Sequence, residues 1–85
     1  MKTVEIYTSP ICGYCHAAKR LLDAKGIAYT ERNVFAEPGV KAEMMKRADG
    51  RRTVPQIFIG GAGIGGCDEL IALDRTGRLE AMLSA

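Results

Sequence analysis

The sequence predicts a single α/β domain built on a mixed β-sheet, and three patterns along the chain support this. A strand pattern over Thr3–Thr8 is followed by a helical pattern from Gly13 to Lys25. A second strand pattern over Ile27–Val34 completes a β-α-β unit, which implies parallel pairing and a right-handed crossover. Two later strands, over Val54–Ile59 and around Ile64, flank a glycine-rich turn and add an antiparallel hairpin. The expected order is β-α-β-α-β-β-α, with four strands in one mixed sheet flanked by helices.

The first two helices are predicted from their apolar spacing and from their end signals. The first helix places an apolar side toward the sheet, formed by Ala17, Ala18, Leu21 and Leu22. Gly26 is expected to end it, since glycine readily adopts the left-handed conformation found after a helix. The second helix is expected to start at Glu37-Pro38-Gly39, with Pro38 near its first turn, and to end at Gly50.

The last helical region carries an apolar stripe and begins next to an acidic residue. Its apolar residues are Leu70, Ile71 and Leu73. Asp68 is the favoured N-cap, because its carboxylate can accept a hydrogen bond from the first turn. Gly77 is expected to interrupt the region before Leu79–Leu83 complete it.

Length and composition indicate one compact domain that spans residues 1–85. The chain is 47% hydrophobic and 26% charged, with a net charge of +2. This charge is too small to predict nucleic-acid binding, and no apolar run approaches the roughly 18 residues of a membrane helix. The first residues predict a strand and not a signal peptide, so we expect a cytoplasmic protein that acts as a monomer and has no membrane partner.

Two of the three cysteines form a CxxC motif, Cys12-Gly13-Tyr14-Cys15, where the first strand gives way to the first helix. A sulfur at a helix N-terminus faces unpaired N–H groups and the positive end of the helix dipole, which both favour the thiolate. Cys12 is therefore the predicted nucleophile, and Cys15, one turn deeper, is the predicted resolving thiol.

Two other interpretations of this motif are weaker. A zinc site would need two further ligands, for which only Cys67 and His16 are available. The run from Cys12 to His16 also matches the attachment sequence of c-type haem, but this interpretation leaves the rest of the chain unexplained. We therefore expect no bound metal.

Two later segments complete the candidate site. In Thr53-Val54-Pro55 the proline stands at a strand start, and from this residue alone a cis and a trans peptide bond are equally expected. Gly65-Gly66-Cys67-Asp68 precedes a helix, where exposed N–H groups can bind a carboxylate and Asp68 can bind an ammonium group. A thiolate, an extended segment and an anion-accepting helix end together suggest a thiol peptide as ligand.

These segments resemble the signature of the glutaredoxin family, and the resemblance extends over nearly the whole chain. It is carried by the CxxC motif, by Thr53-Val54-Pro55-Gln56-Ile57-Phe58-Ile59 and by Ile64-Gly65-Gly66-Cys67-Asp68-Glu69-Leu70. It implies a thioredoxin fold and a glutathione-binding groove. It departs from the family pattern at Ser9, where many members have lysine, and at Gly13, where the commonest dithiol motif has proline.

The resemblance also implies roles for individual residues. Cys12 and Cys15 would be the catalytic pair, and Tyr14 would flank the glutathione sulfur. Val54 would pair its backbone with the cysteinyl unit of glutathione, beside a cis Pro55, and Thr53 would line the groove. Gly66, Cys67 and Asp68 would hold the γ-glutamyl end. Arg51 or Arg52 would meet the glycyl carboxylate, and Arg52 is the one we include in the predicted site.

The expected activity is reduction of protein disulfides and of glutathione mixed disulfides, with glutathione as the reducing cosubstrate and no tightly bound cofactor. Two alternatives remain open at this stage. The chain could carry a [2Fe–2S] cluster between two copies, with glutathione thiols as ligands. It could also be a redoxin that thioredoxin reductase regenerates. Cys67 is expected to act mainly through its backbone, with a redox-active thiol as the less favoured interpretation.

Overall fold

The computed structural model describes residues 1–84, which form four strands and four helices. In chain order the elements are β1 (Val4–Thr8), α1 (Gly13–Ala24), β2 (Thr30–Asn33), α2 (Val40–Arg47), β3 (Gln56–Ile59), β4 (Ala62–Gly65), α3 (Cys67–Arg75) and α4 (Arg78–Ser84). This order matches the prediction, with the last helical region divided in two. The break falls at Gly77, which has a φ of 73°.

The sheet has the strand order β2-β1-β3-β4. Strand β1 pairs in parallel with β2, whereas β1 with β3 and β3 with β4 are antiparallel. The sheet is therefore mixed, as predicted. In the β1–β3 pair Tyr7 lies opposite Gln56, so the C-terminal end of β1 and the N-terminal end of β3 lie side by side at the same end of the sheet.

Several element boundaries differ from the sequence-based prediction; among them, helix α2 ends at Arg47 and not at Gly50. Strand β2 covers only Thr30–Asn33 of the predicted segment. Strand β3 begins at Gln56 and not at Val54, since Pro55 has no N–H to donate to the ladder. Helix α2 begins at Val40 with Gly39 as its N-cap, at a φ of 92°, so Pro38 lies in the preceding turn and not in the helix.

The core lies on both faces of the sheet. One cluster joins the sheet to α1, α3 and α4, and its central residues include Ile6, Leu22, Ile57, Leu70 and Leu79. A smaller cluster under α2 contains Tyr7, Val34, Val40, Met44 and Phe58. The sheet is thus covered by helices on both sides, which explains why β1 and β3 are almost entirely buried. No helix within residues 1–84 combines the length and the apolar character that a membrane crossing requires.

Helix α3 begins two residues earlier than an Asp68 N-cap would require. Gly66 is the N-cap, and Oε1 of Glu69 accepts a hydrogen bond from the Gly66 N–H at 2.7 Å. Asp68 lies within the first turn of the helix, so the predicted N-cap role was wrong. The carboxylate of Glu69 performs the capping instead, and its spacing from Gly66 is that of a capping box.

Candidate active site

Cys12 is the N-cap of α1 and lies at the end of the sheet where the C-terminus of β1 is found. Its Sγ accepts a hydrogen bond from the backbone N–H of Cys15 at 3.1 Å. Its thiol also donates to the carbonyl oxygen of Val54 at 3.6 Å. The first contact stabilises a thiolate, because a charged sulfur is a stronger acceptor than a thiol. The second contact joins the CxxC motif to the segment before β3.

Cys15 lies in the first turn of α1 and is fully buried. Burial, together with a hydrogen bond to Cys12 and the charge of Cys12, raises the pKa of Cys15 to about 12. The backbone of Ser9 and the ammonium group of Lys19 act in the opposite direction. The two cysteines are therefore adjacent but differ in accessibility, with Cys12 half-buried and Cys15 enclosed.

A groove with a volume of about 400 Å³ lies beside the CxxC motif. It brings together most of the predicted binding residues, which are Tyr14, Thr53, Val54, Pro55, Gly66, Cys67 and Asp68. The Val54–Pro55 peptide bond is cis. Cys12 is not itself among the lining residues, but its sulfur contacts the carbonyl oxygen of Val54, which is. Segments more than 50 residues apart in the sequence thus form one continuous surface.

The two walls of the groove approach each other closely at Gly66. A Cβ atom on this residue would lie 3.1 Å from the carbonyl oxygen of Pro55, which is tighter than an ordinary van der Waals contact. The absence of a side chain at Gly66 therefore allows the start of α3 to approach the segment before β3.

The arginine at the groove is Arg51. It lines the groove, whereas Arg52 is not among the lining residues. Both side chains are exposed and adjacent in sequence, so only the backbone path between α2 and β3 distinguishes them.

Gln56 and Glu69 also line the groove, and the sequence analysis did not assign either of them to the site. Gln56 is buried, and its Nε2 donates to the carbonyl oxygen and to Oγ1 of Thr53, at 3.0 and 3.2 Å. It therefore fixes the loop that carries Val54. A signal for Glu69 was present, since it stands three residues after Gly66, at the spacing of a capping box. Gln56 has no comparable signal.

The sulfur of Cys67 lies in the first turn of α3, and the residue is 5% exposed. Burial raises its pKa, and the charges of Asp68, Cys12 and Glu69 add to this effect. The environment of Cys67 thus favours a neutral thiol, which is a poor nucleophile.

Two apolar side chains, Ile11 and Tyr14, flank Cys12 and are 92% and 68% exposed. On the other side of the motif, Nε2 of His16 lies 3.3 Å from the carbonyl oxygen of Pro10. Within residues 1–84 no three His, Cys, Asp or Glu side chains are grouped closely enough to hold a metal ion.

Comparison with known proteins shows to which family the chain is similar. A family model for glutaredoxin matches residues 4–64. Glutaredoxin 3 of Escherichia coli (strain K12) is 51% identical over 83 residues, covering 98% of this chain and 99% of that protein.

Two solved structures show the same architecture. The solution structure of glutaredoxin from Brucella melitensis is 49% identical with a TM-score of 0.84, covering 98% of this chain and 89% of that one. The crystal structure of a buckwheat glutaredoxin–glutathione complex is 35% identical with a TM-score of 0.87, covering 98% of this chain and 77% of that one. The predicted thioredoxin fold is confirmed, and the chain belongs to the glutaredoxin family.

Proposed function

We propose that this thiol–disulfide oxidoreductase uses glutathione as its reducing cosubstrate and reduces glutathione mixed disulfides and protein disulfides. The observation that carries the proposal is the contact between Sγ of Cys12 and the carbonyl oxygen of Val54 at the edge of the groove. A peptide thiol that pairs with the backbone of Val54 would bring its own sulfur to Cys12. The buckwheat relative whose structure is a glutathione complex supports the same ligand.

The groove offers a partner for each charged end of glutathione. Asp68 lies in the first turn of α3 and supplies a carboxylate for the γ-glutamyl ammonium group. The N–H groups at the start of α3, beside Gly66 and Cys67, favour the γ-glutamyl carboxylate. We assign the glycyl carboxylate to Arg51 and not to Arg52, because Arg51 lines the groove.

The first half of the proposed reaction uses Cys12 alone. Its thiolate attacks the glutathione sulfur of a mixed disulfide, and the substrate sulfur leaves as a thiolate that takes a proton from water. Cys12 is then joined to glutathione by a new disulfide. A second glutathione thiolate can attack the bound glutathione sulfur, which releases oxidised glutathione and restores the Cys12 thiolate.

Cys15 provides the second route, for substrates that are protein disulfides. Two of the effects that raise its pKa come from Cys12, namely side-chain hydrogen bonding with Cys12 and the Cys12 charge. Both effects are lost once Cys12 forms a disulfide bond, since the Cys12 sulfur then carries no charge. Cys15 is therefore suppressed as a nucleophile in the resting enzyme and becomes easier to deprotonate in the mixed disulfide.

The test is the glutathione-coupled reduction of a small glutathione mixed disulfide, with glutathione reductase recycling the oxidised product. Cys12→Ser is expected to abolish activity, and Cys15→Ser to retain much of it. Regeneration of the wild-type dithiol by thioredoxin reductase, with glutathione inactive, would overturn the assignment of glutathione. Equal inactivity of both variants would overturn the route through Cys12 alone.

We also propose that the enzyme acts as a monomer in the cytoplasm. One chain supplies both walls of the groove and both cysteines. Glutathione keeps cytosolic thiols reduced, which is the condition that the proposed cycle needs. Sedimentation of the reduced protein, with and without glutathione, tests the monomer, and a dimer under either condition would contradict it.

A further inference from the structure

An ion pair anchored to the sheet lies one helical turn along α1 from the resolving thiol. Nζ of Lys19 is 2.9 Å from Oε2 of Glu31, and the same oxygen accepts a hydrogen bond from Oγ1 of Thr8 at 2.7 Å. Thr8 is buried at the end of β1, directly before the loop that leads to Cys12. The pair therefore connects α1 to β1 and β2, near the end of the sheet where the CxxC motif lies.

Lys19 stands four residues after Cys15 on α1, and side chains at this spacing lie on the same face of a helix. Its ammonium group lowers the pKa of Cys15, and the Cys15 sulfur in turn raises the pKa of Lys19. The hydrogen bond to Glu31 contributes most to the raised pKa of Lys19. Lys19 therefore stays positively charged at physiological pH.

Other titratable groups also face this pair. The hydroxyl of Thr8, followed by Lys19, lowers the pKa of Glu31, and the charge of His16 contributes in the same direction. Tyr29 acts on Lys19. On the thiol side, Cys12 and the backbone of Ser9 are the remaining groups that act on Cys15. Among all of these groups, Lys19 supplies the fixed positive charge beside Cys15.

We propose that Lys19 and Glu31 are positioning residues for the resolving step, with Lys19 favouring the Cys15 thiolate and Glu31 restraining that effect. The inference rests on the proposed dithiol route and assigns the origin of its second nucleophile. Neither residue lines the groove. Lys19 acts through its own charge, and Glu31 acts by pairing with Lys19.

The step that they control is a disulfide exchange within the enzyme. The Cys15 thiolate attacks Sγ of Cys12 in the mixed disulfide, a Cys12–Cys15 disulfide forms, and the Cys12–glutathione bond breaks. The Cys15 sulfur is oxidised, the Cys12 sulfur stays in a disulfide, and the glutathione sulfur is reduced and leaves as a thiolate. The proton that Cys15 released to water is balanced by the proton that this thiolate takes up.

The two side chains should act in opposite directions, and this separates an electrostatic role from a structural one. Without Lys19, Cys15 loses the positive charge one helical turn away, and its thiolate becomes rarer. Without the charge of Glu31, the ammonium group of Lys19 is no longer compensated and the thiolate becomes more common. If the pair only held α1 against the sheet, both changes would loosen the same contact and slow the same step.

The size of the effect follows from how thiol reactivity depends on pKa. One pKa unit changes the thiolate fraction about tenfold, but a more basic thiolate is also a better nucleophile, with a Brønsted coefficient of about 0.4–0.5. The two trends leave a net change of about threefold per unit. Because the pair is partly exposed to water, we expect about a two- to fivefold change in rate at fixed pH.

The experiment follows glutathionylation and ring closure separately. Reduced protein is mixed with oxidised glutathione, quenched with acid at successive times, and weighed by mass spectrometry, which distinguishes the Cys12–glutathione adduct from the closed disulfide. The variants are Lys19→Met, Lys19→Arg and Glu31→Gln. Lys25→Met is the matched control, because Lys25 follows α1 directly and pairs with Asp74 and Glu80, away from the CxxC motif.

We expect Lys19→Met to slow closure about two- to fivefold and to move its pH profile to higher pH. Lys19→Arg should restore closure, Glu31→Gln should close at least as fast as wild type, and Lys25→Met should match wild type. Equal slowing by Lys19→Met and Glu31→Gln, or no change in either, would overturn the inference. Failure of Cys12 to form the glutathione adduct would instead contradict the proposed function.

Discussion

The backbone N–H of Cys15 donates a hydrogen bond to Sγ of Cys12, and the two atoms are 3.1 Å apart. Cys15 thus contributes to the site twice, with its backbone as a donor to the nucleophile and with its side chain as the second thiol. The first contribution requires only the helical backbone, so replacing the Cys15 side chain leaves it in place. This is why the proposed route through Cys12 alone should survive in Cys15→Ser.

Alkylation of the native protein should label one cysteine. Cys12 is half-buried at the groove, whereas Cys15 and Cys67 are buried and their pKa values are raised. Iodoacetamide near neutral pH should therefore modify Cys12 rapidly and the other two slowly, as measured by peptide mass mapping over time. Unfolding in guanidinium chloride is the control and should make all three react. Labelling of native Cys67 at the rate of Cys12 would contradict its enclosed position and favour a redox-active thiol.

Gly66→Ala should widen the groove and weaken glutathione binding. The new Cβ would meet the Pro55 carbonyl at 3.1 Å, so the backbone of α3 or of the Pro55 segment must shift. We expect KM for the glutathione mixed disulfide to rise about three- to tenfold, which corresponds to a loss of roughly 1 kcal/mol of binding free energy. Steady-state kinetics with the coupled assay measures this change.

Gly63→Ala is the matched control for this variant. A Cβ there would approach the Phe58 ring, also at 3.1 Å, but outside the groove beside the CxxC motif. It should lower the free energy of unfolding and leave KM unchanged. A similar rise of KM in both variants would show that general loosening of the fold, and not the Gly66 contact, controls binding.

Glu69 should contribute to stability through the cap of α3. Its Oε1 accepts the Gly66 N–H at 2.7 Å, so Glu69→Ala leaves that donor without its carboxylate partner. The expected loss is about 0.5–2 kcal/mol of unfolding free energy, measured by urea denaturation. Glu69→Gln keeps an acceptor oxygen and should recover most of this loss. Asp68→Ala should cost less than Glu69→Ala, and the reverse order would restore Asp68 as the capping residue.

The pairing of Glu5 with Arg47 should make stability depend on pH in the acid range. Glu5 accepts two hydrogen bonds from Arg47, each 3.0 Å long, and these lower its pKa. A carboxyl with a lowered folded-state pKa stabilises the fold fully above its unfolded pKa. This contribution is lost as the pH falls through the folded value.

Glu5→Gln should therefore be less stable than wild type by about 1 kcal/mol near neutral pH, and the difference should disappear in strong acid. Denaturation curves over a series of acid pH values provide the measurement. Glu37→Gln, which changes an exposed carboxylate in the turn before α2, serves as the control and should show little difference. A constant difference between Glu5→Gln and wild type at every pH would show that packing, and not the ion pair, is responsible.

The sequence predicted the parts of the site that depend on local patterns. A CxxC motif between a strand pattern and a helix pattern places Cys12 at a helix N-terminus whatever the rest of the fold does. The glycines before α3 and the proline before β3 are also local signals, and they located the groove. The assignment to the family then joined these segments into one site.

The remaining features depend on contacts between distant segments, which the sequence does not display. Asp68 is a better N-cap by residue type, but α3 begins at Cys67 with Gly66 as its N-cap, and a side chain at Gly66 would crowd the Pro55 carbonyl. Similarly, Arg51 and not Arg52 lines the groove because of the backbone path after α2. The ion pair of Lys19 with Glu31 could not be expected from residues 12 positions apart on different elements.

The pairing of Tyr7 with Gln56 in the sheet also sets the alignment of the whole site. The chain leaves β1 toward Cys12 just beyond Tyr7, and it arrives at β3 from Val54 just before Gln56. A slip of one residue between these strands would move the Val54 carbonyl about 3.4 Å along the sheet, roughly the length of its present contact with Cys12. The slip would also turn one of the two strands over, so that either Tyr7 or Phe58 would leave their shared core cluster. The hydrophobic core thus fixes the register of β1 and β3, and with it the position of Cys12 relative to the backbone of Val54.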